Sequence, residues 1–481
     1  MLMKKKICLP IILFSFLISI FISQYNIENF DKNIYTDEGK IFHQMIKSDP
    51  HRYLSEGYDI KKEWDDGVSF FKSGPENYTK YLPSRIAALY YYIFDYKFYD
   101  DENIQATVKT GNHNFYLFFQ CFFYFLSLFI FSKSIYPLIK NNFISNIIII
   151  FLCMEPTIFQ YHTSFWSEGY FFSFQLLLLS FMFKSQNLKN LMFVGFFLGI
   201  LALQKQVAFF YIIPILLYYL YFIQKSKIGK MLLIFSSYFL ILSILGFNNL
   251  GRTGKFFILT ADTKNMLHLY LVEHVMMKKN KITGNEFRIA EGKIMYEWIK
   301  TNNINYDKSK IDSKKDYSYF IYRDAIIDEK DVISFDNEIS ARSIEYIKKY
   351  PIDVSKFVIK KGIHTILLNP FHIYSDNNFE SGEVYYTTKT HDNLVYYRIP
   401  YSFIIYSICI LGFVNLLKQK KYNILVLLIV SIIYFYSLVM WHGNTRYFVP
   451  NLIYMSIFFG YGASFIKDRL EAKLKKRELF N

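Results

Sequence analysis

Two adjacent carboxylates, those of Asp37 and Glu38, follow shortly after the first long apolar run of the chain. A carboxylate in such a place can act as a general base that takes the proton from an acceptor hydroxyl group. A simpler role for Asp37 stays open, because a helical stripe beginning with Ile41 and Phe42 follows it and aspartate is a preferred helix cap. Glu38 would then stabilise the first turn of that helix.

Other charged and polar side chains stand at the ends of later apolar runs. Ionisable groups cost about 2–3 kcal/mol each at the membrane centre, and their presence near hydrocarbon usually marks function. We predict catalytic roles for Asp37, Glu38 and Glu168, and substrate-binding roles for Lys205, Arg446, His162, Glu155 and Tyr447.

Structural roles stay open for these residues as well. Glu168 opens a span, where an acid suits the N-terminus of a helix. His162 fits a hydrogen-bonded position at the rim of the membrane. Lys205 and Arg446 fit cations that extend from a span toward the membrane interface.

These residue types suit the transfer of a sugar from a lipid phosphate. The phosphate leaves readily, so the reaction needs a base for the acceptor hydroxyl rather than a strong acid for the leaving group. It also needs cations that hold the phosphate while its negative charge grows. Asp37 would supply the base, and Lys205 and Arg446 would supply the cations.

The apolar runs predict an all-α polytopic membrane protein with about ten transmembrane helices. Of its 481 residues, 52% are hydrophobic and 20% are aromatic, and the apolar runs approach the length that spans a bilayer. The lysine-rich short connectors all fall on the side of the N-terminus, as the positive-inside rule requires. Both termini are therefore predicted to be cytoplasmic, in a multi-pass protein of the inner or plasma membrane. The spans are placed at 7–22, 115–131, 143–159, 165–183, 191–203, 207–223, 231–247, 399–417, 422–440 and 447–466.

Two long polar segments are predicted to lie on the opposite side of the membrane. Residues 24–114 form the first external loop, within a transmembrane catalytic module at 1–247. Residues 248–398 form an extracytoplasmic insertion, and residues 399–481 hold the last helices and a basic cytoplasmic tail. The two external segments are expected to form a small α or α/β cap. Within the insertion, residues 354–368 are apolar on one side and basic elsewhere, which predicts a helix along the membrane surface.

Composition argues against two other kinds of site. The formal net charge is +15, but much of the lysine clusters between apolar runs, where it specifies membrane topology rather than nucleic-acid binding. The cysteines all fall inside apolar runs and far apart, so neither a disulfide framework nor a structural zinc site is expected. They are Cys8, Cys121, Cys153 and Cys409.

Four stretches resemble the polytopic GT-C glycosyltransferases, the class that includes protein O-mannosyltransferases and the aminoarabinose transferase of lipid A. Asp37-Glu38 is similar to the acidic pair in the first external loop of that family. Residues 156–170 are similar to its proline-to-serine-glutamate stretch at the fourth span. Residues 195–205 resemble its glycine-rich segment that ends in a basic residue. Residues 446–450 resemble its arginine-tyrosine-x-x-proline start of a late span.

The resemblance implies an inverting hexosyl- or pentosyltransferase that uses a sugar on a polyprenyl phosphate. The acceptor would be an extracytoplasmic lipid, glycan or protein of the cell envelope, as in lipopolysaccharide or glycan biosynthesis. The first-loop aspartate of the family is taken as the catalytic base, which corresponds to Asp37. The family usually has arginine-proline where this chain has Lys205-Gln206, so the phosphate role of Lys205 departs from the pattern. Some relatives use a divalent metal and others do not, which leaves metal dependence open.

A membrane transporter or lipid flippase without glycosyl transfer is the alternative function. It would require charged or broken helices at the bilayer midplane, and usually a repeat that relates two halves of the chain. The sequence places its polar residues at span ends and shows no such repeat, which favours the enzyme.

Overall fold

The computed structural model describes residues 8–34, 49–74, 81–94, 113–222, 227–258, 267–311, 316–368, 388–441 and 445–478. Within these ranges the chain is helical and contains no β-strand, and an isolated bridge pairs Tyr306 with Ile326. The all-α prediction is confirmed for the described residues, and the α/β alternative for the insertion finds no support among them.

The helices of these ranges are numbered in chain order. Short 3-10 turns lie at Gln206–Tyr211, Lys308–Lys310 and Thr445–Tyr447, and a π-helical turn lies at His268–Val272. The α-helices are α1 (Cys8–Ile34), α2 (Asp49–Asp65), α3 (Tyr81–Ile93), α4 (His113–Ile139), α5 (Asn142–Met154), α6 (Pro156–His162), α7 (Glu168–Met182), α8 (Leu188–Gln204), α9 (Ile212–Phe222), α10 (Lys227–Thr253), α11 (Glu273–Asn280), α12 (Gly284–Thr301), α13 (Tyr319–Ala325), α14 (Glu329–Lys349), α15 (Pro351–Ile366), α16 (Thr388–Lys418), α17 (Tyr422–Val439) and α18 (Asn451–Glu478).

Several helices are suited to a bilayer. Among the described residues, four helical stretches are long and apolar enough to cross a membrane, and α5 with α6 forms a fifth if the bent pair counts as one span. The four are Phe115–Ile139, Lys227–Arg252, Tyr397–Lys418 and Tyr422–Val439. The helices at Leu9–Tyr25, Glu168–Met182, Leu188–Gln204 and Gln206–Phe222 are apolar but shorter. These apolar helices support the prediction of a membrane protein. The number of ten membrane crossings stays a prediction.

One predicted span consists of two helices. The run at 143–159 is divided, because α5 ends at Met154, α6 begins at Pro156, and the two helices are bent by 53°. Pro156 has no backbone N–H and cannot continue α5. The side chain of Glu155 caps α6 by accepting a hydrogen bond from the Ile158 amide at 2.6 Å. A broken helix is one of the features that the transporter alternative requires.

The predicted domain boundaries fall inside helices. The helix α10 continues to Thr253, beyond the predicted end at residue 247, and α16 crosses the predicted junction between residues 398 and 399. At the last predicted span, the helix begins only at Asn451, after a 3-10 turn at Thr445–Tyr447. Hydropathy detects the apolar run and not the helix, so polar helix ends lie outside the predicted limits.

Glycines bring two pairs of helices into close contact. A Cβ atom on Gly195 of α8 would lie 2.2 Å from the backbone oxygen of Ile234 in α10. The corresponding atom on Gly199 would lie 2.6 Å from the Cβ of Ile241. This close approach holds α8 at a fixed position against α10. Gly412 makes a similar approach from α16 to the backbone of α18.

The described part of the insertion has apolar clusters of its own. The larger cluster includes Met295 of α12 and Phe335 of α14, both fully buried. A bidentate ion pair at 2.8 and 2.9 Å joins Arg323 of α13 to the buried Asp336 of α14. These contacts make α12, α13 and α14 a helical unit with its own core.

A buried histidine of the π-helical turn, His268, lies beside a buried glutamate of α12, Glu291. The Nε2 atom of His268 lies 3.5 Å from Oε2 of Glu291, and Arg342 donates two hydrogen bonds to Glu291 at 2.8 and 3.0 Å. Burial lowers the pKa of His268 to about 4, although the carboxylate of Glu291 opposes this shift. Burial alone would raise the pKa of Glu291, but the hydrogen bond from Arg342 and the neighbouring His268 lower it overall.

We expect Gly195→Ala to destabilise the protein by about 1–3 kcal/mol, because the added methyl group would meet the backbone of α10. Gly229→Ala is the matched control, since a Cβ atom there meets nothing within 4 Å and alanine favours a helix. Thermal unfolding of both variants and the wild type in the same detergent micelles measures the difference. A Gly195→Ala midpoint equal to that of the wild type would contradict the close packing.

We expect the insertion to lose stability as the pH falls from 6.5, the ordinary pKa of histidine, to about 4. The folded state keeps His268 neutral in this window while the unfolded chain binds a proton, so the loss reaches up to about 3 kcal/mol. The lowered pKa of Glu291 adds a loss at still lower pH.

Hydrogen exchange of peptides from α12 and α14, followed in the full chain at several pH values, measures this opening. The His268→Gln variant should lose less stability across the window than the wild type. His364→Gln, at an exposed position of α15, should behave as the wild type. An unchanged pH dependence in His268→Gln would show that another group is responsible.

Candidate functional site

The candidate site is built around the carboxylate of Glu168, the first residue of α7, whose side chain is fully buried. One oxygen, Oε1, accepts hydrogen bonds from Nζ of Lys205 at 2.5 Å and from Nε of Arg446. The other oxygen lies 3.4 Å from the hydroxyl of Ser167. Two cations therefore meet one carboxylate oxygen.

Lys205 reaches Glu168 from the end of α8. The lysine is the cap of that helix, with extended backbone angles, and it separates α8 from the 3-10 turn at Gln206–Tyr211. The neighbouring Gln204 is fully buried and donates a hydrogen bond from Nε2 to the carbonyl oxygen of Ser167 at 2.9 Å. This bond fixes the end of α8 against the start of α7, so the lysine needs little rearrangement to reach the carboxylate.

Arg446 reaches the same carboxylate from the 3-10 turn before α18. Its guanidinium carbon lies 3.9 Å from the centre of the Trp166 ring and 5.5 Å from that of Tyr447. Nζ of Lys205 lies 5.9 Å from the ring centres of Tyr447 and Phe171. Aromatic faces attract cations and exclude water, so they strengthen the electrostatic field of the two cations.

A tyrosine of the first polar segment holds the loop before Glu168. The hydroxyl of Tyr53 in α2 donates a hydrogen bond to the carbonyl of Phe165 at 2.7 Å and accepts one from the amide of Ser167 at 2.8 Å. The two bonded residues flank Trp166, which stacks on Arg446. The predicted first external loop thus supports the site through α2.

The predicted base Asp37 and its neighbour Glu38 lie in residues 35–48, outside the described residues. The structure describes the chain on both sides of this stretch, in α1 and α2. The roles of the two acids stay predictions.

Two other predicted substrate-binding residues lie in different surroundings. Glu155 is buried at the break between α5 and α6, where it caps α6 and accepts a hydrogen bond from the hydroxyl of Tyr401 in α16. His162 is also buried, with its ring stacked on Tyr124 at 4.4 Å and its Nε2 atom 3.0 Å from the hydroxyl of Ser19 in α1. The structure thus brings together Glu168, Lys205, Arg446 and Tyr447, and places His162 in the core between α1 and α4.

The residues in the described ranges offer no group of three or more His, Cys, Asp and Glu side chains that could hold a metal ion. Asp37 and Glu38 lie outside these ranges.

Two residues that support the site, Tyr53 and Gln204, carry little signal in the sequence. Tyr53 contacts a loop that is distant in the chain, and its own stretch carries no motif that distinguishes it from other tyrosines. Gln204 stands beside Lys205 in the motif, but nothing in the pattern indicates its bond to Ser167.

The arrangement is suited to binding an anion. Two buried cations from separate parts of the chain converge within reach of each other, and both present N–H donors to a single oxygen. An oxyanion that shares or replaces this oxygen would receive charge-assisted hydrogen bonds in surroundings of low dielectric constant.

Comparison with known proteins places the chain in no family. No family model matches it, and no curated protein sequence matches it. A solved structure that is similar in part is the archaeal oligosaccharyltransferase AglB from Archaeoglobus fulgidus, in complex with an inhibitory peptide and a dolichol-phosphate. The match has a TM-score of 0.46 and 11% sequence identity, and covers 97% of this chain. The chain spans 52% of the length of that protein.

Proposed function

We propose that the protein is an inverting glycosyltransferase that moves a sugar from a polyprenyl-phosphate donor to an acceptor of the cell envelope. The observation that carries the proposal is the convergence of Lys205 and Arg446 on one buried carboxylate beside aromatic rings. A lipid phosphate needs such a pair of cations at a level where its tail can remain in the bilayer.

The phosphate of the donor would bind the two cations in the place that one oxygen of Glu168 now occupies. Glu168 would then serve as the counter-ion that keeps the cations in position between turnovers. The catalytic role predicted for Glu168 from the sequence would then be to position the two cations. Because Lys205 carries a point charge and Arg446 a planar fork of donors, the pair can follow the phosphate as its charge increases.

The chemical step would be a single displacement. Asp37 would take the proton of the acceptor hydroxyl, and the acceptor oxygen would form a bond to the anomeric carbon from the face opposite the phosphate. The bond between the anomeric carbon and the phosphate oxygen would break, and its electron pair would remain on the phosphate. The configuration at the anomeric carbon would invert.

The finer assignments rest on the sequence. The positive-inside pattern supports a plasma-membrane protein with both termini in the cytoplasm, and with the first polar segment and the insertion outside. The sugar would be a hexose or pentose, and the acceptor a lipid, glycan or protein. No soluble cofactor is needed for the displacement.

One observation favours the alternative function of a transporter or flippase. It is the break between the helices α5 and α6 at Glu155 and Pro156. Proteoliposomes that contain the purified protein and a donor with a radiolabelled sugar separate the two functions. The transferase forms a labelled acceptor and free polyprenyl phosphate. A transporter moves the intact donor across the bilayer and leaves its sugar–phosphate bond unbroken.

We expect Lys205→Gln and Arg446→Gln each to raise the KM for the lipid-phosphate donor by about 10- to 100-fold, because each removes a charge-assisted hydrogen bond. Arg446→Lys should fall between Arg446→Gln and the wild type, since it keeps the charge but loses the stacking on Trp166. Steady-state transfer assays at varied donor concentration measure these changes.

Lys133→Gln is the matched control, because this lysine lies over the ring of Phe129 on α4 and should leave the KM unchanged. Gel filtration establishes that each variant is folded. If the variants are folded and their KM and binding of free polyprenyl phosphate are unchanged, the two cations do not bind the phosphate.

We expect Asp37→Asn to lower kcat by about 100- to 10,000-fold, because the amide cannot accept the proton of the acceptor. Binding of the donor should remain, since the cations are intact. Asp66→Asn, the same exchange at an exposed position after α2, should retain wild-type activity. Wild-type transfer by Asp37→Asn would refute the assignment of the base while leaving the phosphate site untouched.

A further inference from the structure

The helix α15 of the insertion has one face that packs on the protein and one that does not. On the inner face, Gly362 is buried, and a Cβ atom there would lie 2.7 Å from the hydroxyl of Tyr436 and 3.4 Å from the Cβ of Met440. Tyr436 lies near the C-terminal end of α17, a candidate membrane span. The helix therefore packs directly on the end of a span.

The outer face of α15 carries three exposed isoleucines. Ile352, Ile359 and Ile363 are 68%, 66% and 57% exposed. With 3.6 residues per turn, the three positions fall within about 40° of one another around the helix axis. Lys356 and Lys360 are exposed beside this stripe. An apolar stripe edged by lysines is the pattern of a helix that lies in a membrane interface.

The C-terminal end of α15 is tied to the beginning of another candidate span. Nη2 of Arg398 donates a hydrogen bond to the carbonyl of Leu367 at 2.7 Å, and the amide of Leu368 donates one to the hydroxyl of Ser402 at 2.9 Å. Arg398 and Ser402 belong to α16, within the span Tyr397–Lys418. The outer face of α15 thus lies at the level where two spans begin or end.

The exposed apolar surface of α16 begins at the same level. Phe403 and Ile404 are 70% and 57% exposed, as expected for side chains that face lipid. The isoleucine stripe therefore lies close to a lipid-facing surface, which identifies the bilayer as the surface that covers it.

We propose that the outer face of α15 lies in the membrane interface, with its isoleucines among the upper acyl chains and Lys356 and Lys360 on the phosphates of anionic lipids. The same helix packs against the turn Thr445–Tyr447, which carries Arg446. Binding to the bilayer surface would therefore help to hold that turn at the level of the lipid phosphates. This proposal is independent of glycosyl transfer.

The test places a cysteine at position 352, 359 or 363 of the full-length chain and labels it with the environment-sensitive fluorophore NBD. Ile344→Cys is the matched control, because Ile344 is an exposed isoleucine of the neighbouring helix α14. The wild-type chain controls for background labelling of its own cysteines, of which Cys121, Cys153 and Cys409 are buried. The proteins are reconstituted in vesicles of phosphatidylcholine and phosphatidylglycerol.

The three α15 labels should emit at shorter wavelength than the label at position 344. Lipids with a doxyl group on the upper acyl chain should quench them, and aqueous iodide should not. If iodide quenches the α15 labels as strongly as the control label, the face meets water and the proposal fails. If neither quencher reaches them, protein covers the face, either a second copy or another segment, and the proposal fails as well.

A second measurement tests the lysines. Doxyl-phosphatidylglycerol should quench the label at position 359 more strongly than doxyl-phosphatidylcholine does, and the double variant K356Q/K360Q should lose this preference. Two lysines at an anionic surface correspond to a preference of at most about 30-fold. Equal quenching by the two lipids in the chain that retains both lysines would refute the role of the lysines in binding anionic lipid.

Discussion

The ion pairs of Glu168 with Lys205 and Arg446 are the constraint on which the arrangement of the bundle depends. A buried carboxylate is costly, and it is tolerated only when cations and hydrogen bonds compensate its charge. Removing the carboxylate takes away the shared counter-ion of two buried cations, and breaking a buried ion pair in this way typically costs about 3–5 kcal/mol. The start of α7, the end of α8 and the turn before α18 must therefore come together for the chain to fold.

Close helix packing supplies the precision that these ion pairs need. Gly195 and Gly199 let α8 approach α10 at backbone distance, which sets the position of the helix end that carries Lys205. Gly412 brings α16 equally close to α18, the helix that follows Arg446. Charged side chains at the ends of firmly packed helices lose little conformational freedom when they pair. The entropy cost of forming the ion pairs is therefore small.

Much of this architecture could be predicted from the sequence. Apolar runs indicated the helices. The candidate residues Glu168, Lys205 and Arg446 were found because charges near hydrocarbon are rare. These three side chains also meet in space. Their roles in catalysis or substrate binding, like that of Asp37, belong to the proposed function.

Other features depend on tertiary contacts that no local pattern records. Hydropathy did not reveal the break at Pro156, because only one polar residue, Glu155, separates the two apolar helices. His162 looked like a residue of the membrane rim, but its ring stacks on Tyr124 and its nitrogen meets Ser19, so the core accommodates it. Helix limits were missed wherever polar ends extend beyond the apolar run, as in α10 and α16.

The hydroxyl group of Tyr53 has a consequence that reaches beyond α2. By bonding the carbonyl before Trp166 and the amide after it, this single oxygen closes a hydrogen-bonded ring with the backbone of Trp166, which positions the residue that carries the indole. A phenylalanine there would leave two backbone groups unsatisfied, at a cost of about 1–3 kcal/mol each. The indole of Trp166 would then be free to tilt, and the guanidinium of Arg446 would lose its stacking contact with that ring. A tyrosine on α2 thus controls the position of the ring on which Arg446 stacks.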